Sequence, residues 1–321
     1  YVGDKNTDNT DRTSDTQSEN QSYSVDVSQL GGMYAEKIHL VDNGQGLGVR
    51  NAGHIGASAG SVKIDSQGKI VNEGFIGGSE NAELNAKKNI ENRGTVYAKA
   101  QTQFNAQHID NKQGVIAGKQ VQLNANNVDN RKQSDKGSLI VASEKVSIKA
   151  KNLDNSGTKS NGKNEQGIKA TALELQADNV TNQQGGIYVA QKADISLTDK
   201  LVNHQGEILS DGELHIKGDQ NTASIDNNEG RVHAGEKLSI TAKKLENEGQ
   251  ISSTGDADIA LKDSFTLNKA FQVDGHLQFS TDGKFTNKTQ LRTGQGVTVK
   301  AAEIDNPTGS EIASQVTHIV T

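Results

Sequence analysis

Short runs in which apolar residues alternate with polar ones recur along most of the chain. Within residues 94–111, three such runs follow one another, at 96–98, 102–106 and 109–111. A period of two places alternate side chains on one face of a β-strand. The pattern therefore predicts three short strands in each segment of this length, with tight turns between them.

A second pattern sets the length of the repeating segment. An apolar residue stands two positions before an asparagine, with a glycine soon after, as in Val49, Asn51 and Gly53. The signature returns about every 21 residues, which indicates one supersecondary unit stacked on itself. Asn268 is included by its spacing alone, because Thr266 replaces the apolar residue there. The repeated asparagines are Asn51, Asn72, Asn92, Asn111, Asn130, Asn155, Asn182, Asn203, Asn227, Asn247, Asn268, Asn287 and Asn306.

Three short strands and their turns can close one coil of a solenoid. The predicted fold is all-β: a right-handed parallel β-helix of about 13 coils, each with roughly 20 residues and three short strands. At the usual strand spacing, this solenoid is a rod about 60 Å long. The single proline, Pro307, fits a backbone whose N–H groups are nearly all used in strand pairing.

The repeated asparagines are predicted to form a structural ladder. Each shares the parity of the apolar residue two positions before it, so its side chain should point inward at a corner. A buried amide needs hydrogen-bond partners, and stacked copies can bond to one another or to the turn backbone. The following glycine is expected to supply a turn conformation that a Cβ atom would resist. A row of asparagine ligands for a substrate is the less favoured alternative.

The repeat also divides the chain into sections. Residues 1–22 are almost wholly polar and lack periodicity, which is typical of a flexible leader. Residues 23–48 are expected to form an irregular opening section, and residues 49–321 the regular β-helix. A further coil begins near Gly309 without being completed, so the β-helix is expected to be truncated at its C-terminal end.

Two insertions interrupt the spacing, at 131–137 and 156–167. Both follow the repeated asparagine, so they should lie side by side at one corner as a polar protrusion. Insertions on one face of a solenoid often form its binding face. A solvated pair of loops is the favoured interpretation, and a binding protrusion is the alternative. Its candidate residues are Lys132, Asp135, Lys136, Lys159, Lys163 and Glu165.

The composition removes several classes of function. The chain has no cysteine, which excludes disulfides and thiolate metal sites. A net charge of −6 with mixed signs gives no case for nucleic-acid binding. Most histidines neighbour an inward residue and should point into solvent, and no metal, cofactor or small-molecule substrate is predicted. The exterior is expected to be polar, without an apolar patch.

Two segments carry a family resemblance. Residues 30–35, LGGMYA, and 48–57, GVRNAGHIGA, resemble the region after the secretion domain in filamentous-haemagglutinin-like exoproteins of two-partner secretion. The later repeats resemble the haemagglutinin repeats of this family, which includes contact-dependent growth inhibition effectors. The resemblance covers residues 23–321. It implies a secreted protein on the outer surface of a Gram-negative bacterium, exported through an outer-membrane β-barrel partner. Receptor-binding and toxin regions of the family lie beyond such repeats.

Three functions are compatible with a solenoid of this kind. The favoured one is a structural shaft that carries distal receptor-binding or toxin regions away from the cell. The second is direct adhesion, in which the repeats themselves bind a receptor or glycan on a host or bacterial surface. The third is an enzyme acting on polysaccharides, which needs a carboxylate cluster in a cleft. Short corners and scattered carboxylates predict that the chain is not an enzyme.

Overall fold

The computed structural model describes residues 22–44, 46–163 and 165–321, and all its regular elements are β-strands. The predicted leader at 1–22 lies outside the described residues except for its last position. In chain order, the strands are β1 (Val25–Val27), β2 (Gly32–Ala35), β3 (Ile38–Asp42), β4 (Gly48–Asn51), β5 (His54–Ala57), β6 (Val62–Ser66), β7 (Lys69–Asn72), β8 (Phe75–Gly78), β9 (Asn81–Ala86), β10 (Asn89–Asn92), β11 (Thr95–Asn105), β12 (His108–Asp110), β13 (Val115–Asn124), β14 (Asn127–Asp129), β15 (Leu139–Lys149), β16 (Asn152–Asp154), β17 (Gly167–Thr181), β18 (Gly186–Val202), β19 (Glu207–Ser210), β20 (Glu213–Gly218), β21 (Ser224–Asp226), β22 (Arg231–Ala234), β23 (Lys237–Ala242), β24 (Lys244–Glu246), β25 (Gln250–Ser253), β26 (Asp256–Leu261), β27 (Phe265–Leu267), β28 (Gln272–Val273), β29 (His276–Thr281), β30 (Lys284–Asn287), β31 (Gln290–Arg292), β32 (Gly296–Lys300), β33 (Glu303–Asp305), β34 (Glu311–Ala313) and β35 (Val316–Val320).

These strands stack into three parallel faces, so the predicted parallel β-solenoid is confirmed. We call the face whose strands lead to the repeated asparagines the ladder sheet. It contains β1, β4, β7, β10, β12, β14, β16, the ends of β17 and β18, β21, β24, β27, β30 and β33. The second sheet contains β2, β5, β8, the starts of β11, β13, β15, β17 and β18, then β19, β22, β25, β28, β31 and β34. The third sheet contains β3, β6, β9, the later parts of β11, β13, β15, β17 and β18, then β20, β23, β26, β29, β32 and β35.

In the part of the chain that the structure describes, each face therefore holds fourteen strands, one more than the thirteen coils expected from the asparagines. The additional coil is the opening section, which is more regular than its sequence indicates. There, β1 pairs with β4 in a register that puts Val27 opposite Asn51. Valine replaces asparagine at the corner, and the repeat signature is consequently absent from this coil.

The inward side chains form continuous apolar columns along the axis. Ile70 and Ile90 stand in one such column, paired in register and fully buried. Near the C-terminal end this column contains the rings of Phe265 and Phe285, which pack with Phe279 of the third sheet at centroid distances of 4.8–6.4 Å. Stacking gives each residue partners above and below, which compensates for the low hydrophobic content of 32%.

The signature glycines are required for close approach and not for an unusual dihedral angle, which corrects the expectation from sequence. A Cβ atom on Gly74 would lie 2.0 Å from the carbonyl oxygen of Gly53, and one on Gly94 only 1.9 Å from that of Gly74. In coils with a longer corner, the positive φ belongs to the residue before the glycine, as at Gln113 (68°) and Gln184 (51°). Backbones of successive coils pack so tightly here that any side chain would separate them.

Two of the three faces are interrupted near the C-terminal end. Strands β27, β30 and β33 form a separate three-stranded sheet, so the ladder face has no strand pairing between β24 and β27. In the second sheet, β28 has two residues and joins the next coil only through the bridge from Val273 to Thr293. The third sheet continues through this region from β26 to β35. The two interruptions fall at successive joints, since β25 still pairs with β28 where the ladder face is broken, and β27 still pairs with β30 where the second sheet is reduced to one bridge. The third sheet is paired at both joints.

Candidate functional site

Ten of the repeated asparagines form one buried column at the end of the ladder-sheet strands. The amide Nδ2 of each donates to Oδ1 of the next asparagine, for example from Asn92 to Asn111 at 2.7 Å and from Asn111 to Asn130 at 2.8 Å. The same bond joins Asn51, Asn72, Asn92, Asn111, Asn130, Asn155, Asn182, Asn203, Asn227 and Asn247, at 2.7–2.8 Å throughout. All the amides point the same way along the rod.

The second amide proton ties each interior asparagine to the backbone. Nδ2 of Asn111 also donates to the carbonyl oxygens of Gly114 at 3.2 Å and Leu139 at 3.1 Å. At the N-terminal end of the column, Oδ1 of Asn51 accepts the N–H of Gly53. The donors and acceptors of these buried amides are thus used within the structure, and none is left to bind a substrate. This arrangement explains why Asn recurs: Asp lacks the donor, and a longer Gln would not fit the same spacing.

The column stops at Asn247, and the prediction for Asn268 is wrong. Asn268 is exposed and donates to the carboxylate of Glu248 at 2.6 Å. Leu267, which is fully buried, takes the ladder position and pairs with Asn287. The apolar signature of this coil begins at Phe265, one residue earlier than the spacing suggests, and a shift of one position reverses inside and outside.

A short second column follows the gap. Asn287 is fully buried and donates to Oδ1 of Asn306 at 2.8 Å and to the carbonyl oxygen of Glu311 at 2.9 Å. Asn306 is exposed, because in the described residues its far side is not covered by a further ladder strand. The two columns together place twelve of the thirteen predicted asparagines at the ladder corner and leave out Asn268.

Ion pairs lie beside the middle of the ladder, with the carboxylates of Asp110 and Asp129 one position before an asparagine and their cations one position after an asparagine. The Asp110 carboxylate accepts a bidentate pair from Arg93, at 2.6 and 3.0 Å, and lies 3.2 Å from Nζ of Lys112. In the next coil, Asp129 receives the Arg131 guanidinium at 2.7 Å and lies 3.5 Å from Lys112. Burial raises the pKa of Asp129, but bonds from the Arg131 side chain and backbone N–H, with the charges of Arg131 and Lys112, outweigh it and lower the pKa below its ordinary value. The alternating charges link coils on the outside as the amides do inside.

The two insertions lie next to each other at the corner after the ladder. The backbone N–H of Lys132 donates to the carbonyl of Ser156 at 2.9 Å, and that of Gly167 donates to Ser138 at 2.8 Å. The candidate residues Asp135, Lys136, Lys159, Lys163 and Glu165 are exposed and Lys132 is partly buried. The structure therefore gathers the six predicted residues on one protrusion.

Several of these side chains are already engaged within the protein. Nζ of Lys136 donates to the backbone carbonyl of Arg93 at 2.9 Å. Nζ of Lys159 lies 3.2 Å from the carboxylate of Glu207, and Glu165 pairs with Lys169. The protrusion consequently offers fewer available charges than its sequence indicates.

The second insertion is held down by Tyr188. The Tyr188 hydroxyl accepts the backbone N–H of Ser160 at 2.8 Å and donates to Glu207 at 2.9 Å. Burial, together with the hydrogen bond to Glu207 and its negative charge, raises the pKa of Tyr188 to about 12, although the Ser160 bond opposes the rise. The insertion thus closes over the outward side of the second sheet and is not a free loop.

The outward side of the second sheet is less polar than expected. The strand register places Tyr34, Gly56, Gly77, Tyr97, Ala117 and Val141 in one outward column on six successive coils. Tyr34 is 75% exposed and Tyr97 is 40% exposed. The prediction of an exterior without an apolar patch is therefore wrong, because residues far apart in sequence align only when the coils are stacked.

The remaining surface carries little that suggests catalysis. A groove of about 510 Å³ is lined by outward amides of Asn85, Asn105 and Asn124 in a row that ends on Asp65. The Asp65 carboxylate already accepts Asn85 and His39, each at 2.7 Å. Within the described residues, no group of three or more His, Cys, Asp or Glu could hold a metal ion. Nor does the described chain form a helix with the length and hydrophobicity that a membrane crossing requires.

Comparison with known families agrees with the stacked asparagine signature. The haemagglutinin repeat model matches residues 4–74, 80–157, 116–173, 170–289 and 271–321. The chain belongs to the haemagglutinin repeat family. The resemblance to filamentous-haemagglutinin-like exoproteins of two-partner secretion is thereby confirmed.

The relatives are much longer proteins. A toxin CdiA of Yersinia pestis is 49% identical over 78 residues, which are 24% of this chain and 2% of the relative. A 16S rRNA endonuclease CdiA of Enterobacter cloacae is 23% identical over 283 residues, or 88% of this chain and 7% of the relative. A protein adenylyltransferase and cysteine protease IbpA of Histophilus somni is 28% identical over 294 residues, or 89% and 7%. No solved structure matches the chain significantly. The chain spans less than a tenth of each of these relatives.

Proposed function

We propose that this chain is a shaft segment that holds distal regions of a large secreted exoprotein away from the surface of a Gram-negative bacterium. The observation that carries the proposal is the inward amide column, which runs through ten successive coils with its hydrogen bonds satisfied internally. A spacer needs a stiff repeat that can be extended without a new core at each step. A stacked solenoid provides this, since each coil depends only on its neighbours.

The outward chemistry supports a structural role. The charges lie mostly in pairs between neighbouring coils, such as Arg93 with Asp110 and Lys145 with Glu174. Solvated pairs of this kind contribute about 0–1 kcal/mol each and leave no reactive centre. The enzymatic activities named in relatives would then belong to other parts of those proteins, and this segment would act without catalysis.

Export is proposed to use an outer-membrane β-barrel transporter of the two-partner type. The sequence is compatible with passage of an extended chain, because it has no cysteine to form a cross-link. Folding outside the cell would then proceed coil by coil, with each new coil stacking on the exposed end of the last. Any receptor would be contacted through other regions of the parent protein.

The spacer role can be tested by removing whole coils in register. Deleting residues 73–92 joins Asn72 to the residue that normally follows Asn92 and preserves the ladder. We expect the rod to shorten by about 4.8 Å for each deleted coil, as measured by small-angle X-ray scattering, while the chain stays folded. In the parent exoprotein, delivery of the distal region should survive this deletion. Loss of delivery by a deletion variant that folds normally would contradict a spacer role.

Direct adhesion through the protrusion is the second candidate, supported by the side-by-side position of the two insertions. Its test is a variant in which Lys132, Lys136, Lys159 and Lys163 are all changed to glutamine. A control variant changes four exposed lysines elsewhere on the rod, Lys87, Lys88, Lys237 and Lys262. Selective loss of cell binding by the first variant would support adhesion. Absence of binding by the unmodified chain, or equal binding by both variants, would contradict it.

A further inference from the structure

The apolar outward face of the second sheet has a shape that could receive a copy of itself. We define this face by the column Tyr34, Gly56, Gly77, Tyr97, Ala117 and Val141, which lie on coils one to six in that order. Tyr34 and Tyr97 are exposed, and the two coils between them carry glycine. The two tyrosines are three strand spacings apart, or about 14 Å.

The floor between the two tyrosines is flat and apolar. The ring of Phe75 lies over Gly77, where a Cβ atom would come within 2.5 Å of it. His54 packs on Phe75 with ring centroids 5.8 Å apart. At Gly56, a Cβ atom would meet the Tyr34 ring at 3.5 Å, so the Tyr34 side chain already leans along the floor. The Tyr34 and Phe75 rings thus cover the backbone of the two glycine coils and make the floor apolar.

We propose that two copies of this chain associate face to face and antiparallel through this surface. The two-fold axis would run parallel to the strands and lie between the third and fourth coils, a quarter of a coil spacing from the third. It brings Tyr97 of each copy over the space between Gly56 and Gly77 of the other. The same operation sets Tyr34 between Ala117 and Val141 of the partner copy. The exposed Tyr97 ring of each copy thus meets the apolar floor of the other, as a two-fold interface requires.

The charges beside the face follow the same symmetry. At the corner between the second and third sheets, coil three carries Glu80 and coil four carries Lys99. An axis parallel to the strands keeps this corner opposite its own copy. It brings Lys99 within half a strand spacing, about 2.4 Å along the rod, of Glu80 in the partner copy. Within the described residues, Glu80 and Lys99 form no ion pair in the single chain, whereas Lys119 of the next coil already pairs with Glu144 at 3.0 Å. Glu80 and Lys99 are therefore available across the interface.

Charge reversal separates this pairing from other uses of the face. Glu80→Lys places lysine against lysine at both symmetry-related contacts, and Lys99→Glu places glutamate against glutamate. Each variant alone should associate at least about tenfold more weakly than the unmodified chain, because like charges oppose each other. An equimolar mixture of the two restores both contacts and should regain association. Sedimentation equilibrium over a concentration series measures all three, and circular dichroism checks that each variant keeps its β-structure.

These experiments measure association between copies, whereas the coil deletion measures the length of the rod and delivery of the distal region. Recovery in the mixture, with loss in each single variant, supports antiparallel pairing. As a matched control, Lys237→Glu on another part of the rod should associate like the unmodified chain. A chain that stays monomeric at all concentrations would assign the face to a partner of another kind and overturn the proposal. Undiminished association of the single variants would show that the copies meet through a different surface, and would overturn it equally.

Discussion

Leu267 stands opposite Asn287 in the parallel register, at the corner position that asparagine holds in the ten preceding coils. The amide of Asn247 consequently lacks a ladder acceptor and donates to the carbonyl of Gly249 at 3.4 Å. The gap coincides with the rings of Phe265 and Phe285, so apolar packing replaces amide bonding in this coil.

Leu267→Asn should therefore change stability little. The new amide accepts from Asn247 and donates to Asn287, and each bond contributes about 1 kcal/mol of stability. The lost burial of the leucine side chain costs about 2–3 kcal/mol. We expect the free energy of unfolding, measured with urea, to stay within about 1 kcal/mol of its original value. The reverse change, Asn203→Leu, should be costly because it orphans Asn182 and Asn227. Equal losses from both substitutions would show that the ladder bonds are dispensable.

Asn111→Asp tests the direction of the ladder. The replacement keeps the shape of the side chain but removes the donors to Asn130 and Leu139, and it brings a carboxylate against the oxygen of Asn130. We expect a loss of about 3 kcal/mol or more in the free energy of unfolding at neutral pH. Asn126→Asp is the matched control, since Asn126 is exposed and should lose less than about 0.5 kcal/mol. Comparable losses at the two positions would contradict the buried column.

We expect acid to weaken the ion pairs of Asp129 with Arg131 and Lys112. Its pKa is lowered in the folded chain, because bonds and charges from Arg131 and Lys112 outweigh the opposing effect of burial. Because the pKa of Asp129 is lower in the folded chain than in the unfolded chain, its stabilisation is present above the unfolded-state pKa. The stabilisation is lost as the pH falls through the folded-state pKa. We expect unfolding midpoints to fall on acidification below about pH 4, and to fall less in Asp129→Asn. A variant with the same pH profile as the unmodified chain would exclude Asp129 as a source of acid sensitivity.

Alkali should release the second insertion through Tyr188. Its pKa is raised to about 12 in the folded chain, mainly by burial. Because the folded pKa exceeds the ordinary value of 10.0, the stabilisation is complete below pH 10 and is lost as pH rises towards 12. Ultraviolet titration should show one tyrosine ionising late, and Tyr188→Phe should remove that step. Backbone amide exchange at Ser160 should accelerate in the variant, since its acceptor is missing. An unchanged late step would assign it to another tyrosine.

Much of the fold was predictable because the repeat is carried by residues that cannot be exchanged freely. Alternation fixes which side chains enter the core, and the inward asparagine requires a partner that only another coil can supply. Ile70 and Asn72 show this, since each meets the equivalent residue of the next coil in register. The position of the candidate protrusion followed from the same frame.

Features that depend on alignment between distant coils were not predictable. Asn268 has the expected spacing, but Phe265 and Leu267 occupy the inward positions. Burying these two large apolar side chains stabilises the coil more than one further amide hydrogen bond would. Tyr34 and Tyr97 are 63 positions apart in sequence, and only the stacked register places them in one column. The internal contacts of Lys136 and Lys159 likewise depend on which coil lies beside each insertion.

The interruption of the ladder sheet before Leu267 has a mechanical consequence. Hydrogen bonds between coils run along the rod, so a pull on its ends loads successive coils in series, and the joint with the fewest bonds yields first. At the joint between β24 and β27 the second sheet contributes only the pairs of Ser252 with Gln272 and Ser253 with Val273, and the third sheet contributes the longer pairing of β26 with β29. Under load the rod would open there from the ladder side and part last at the third sheet, while the longer amide-laddered section stays intact.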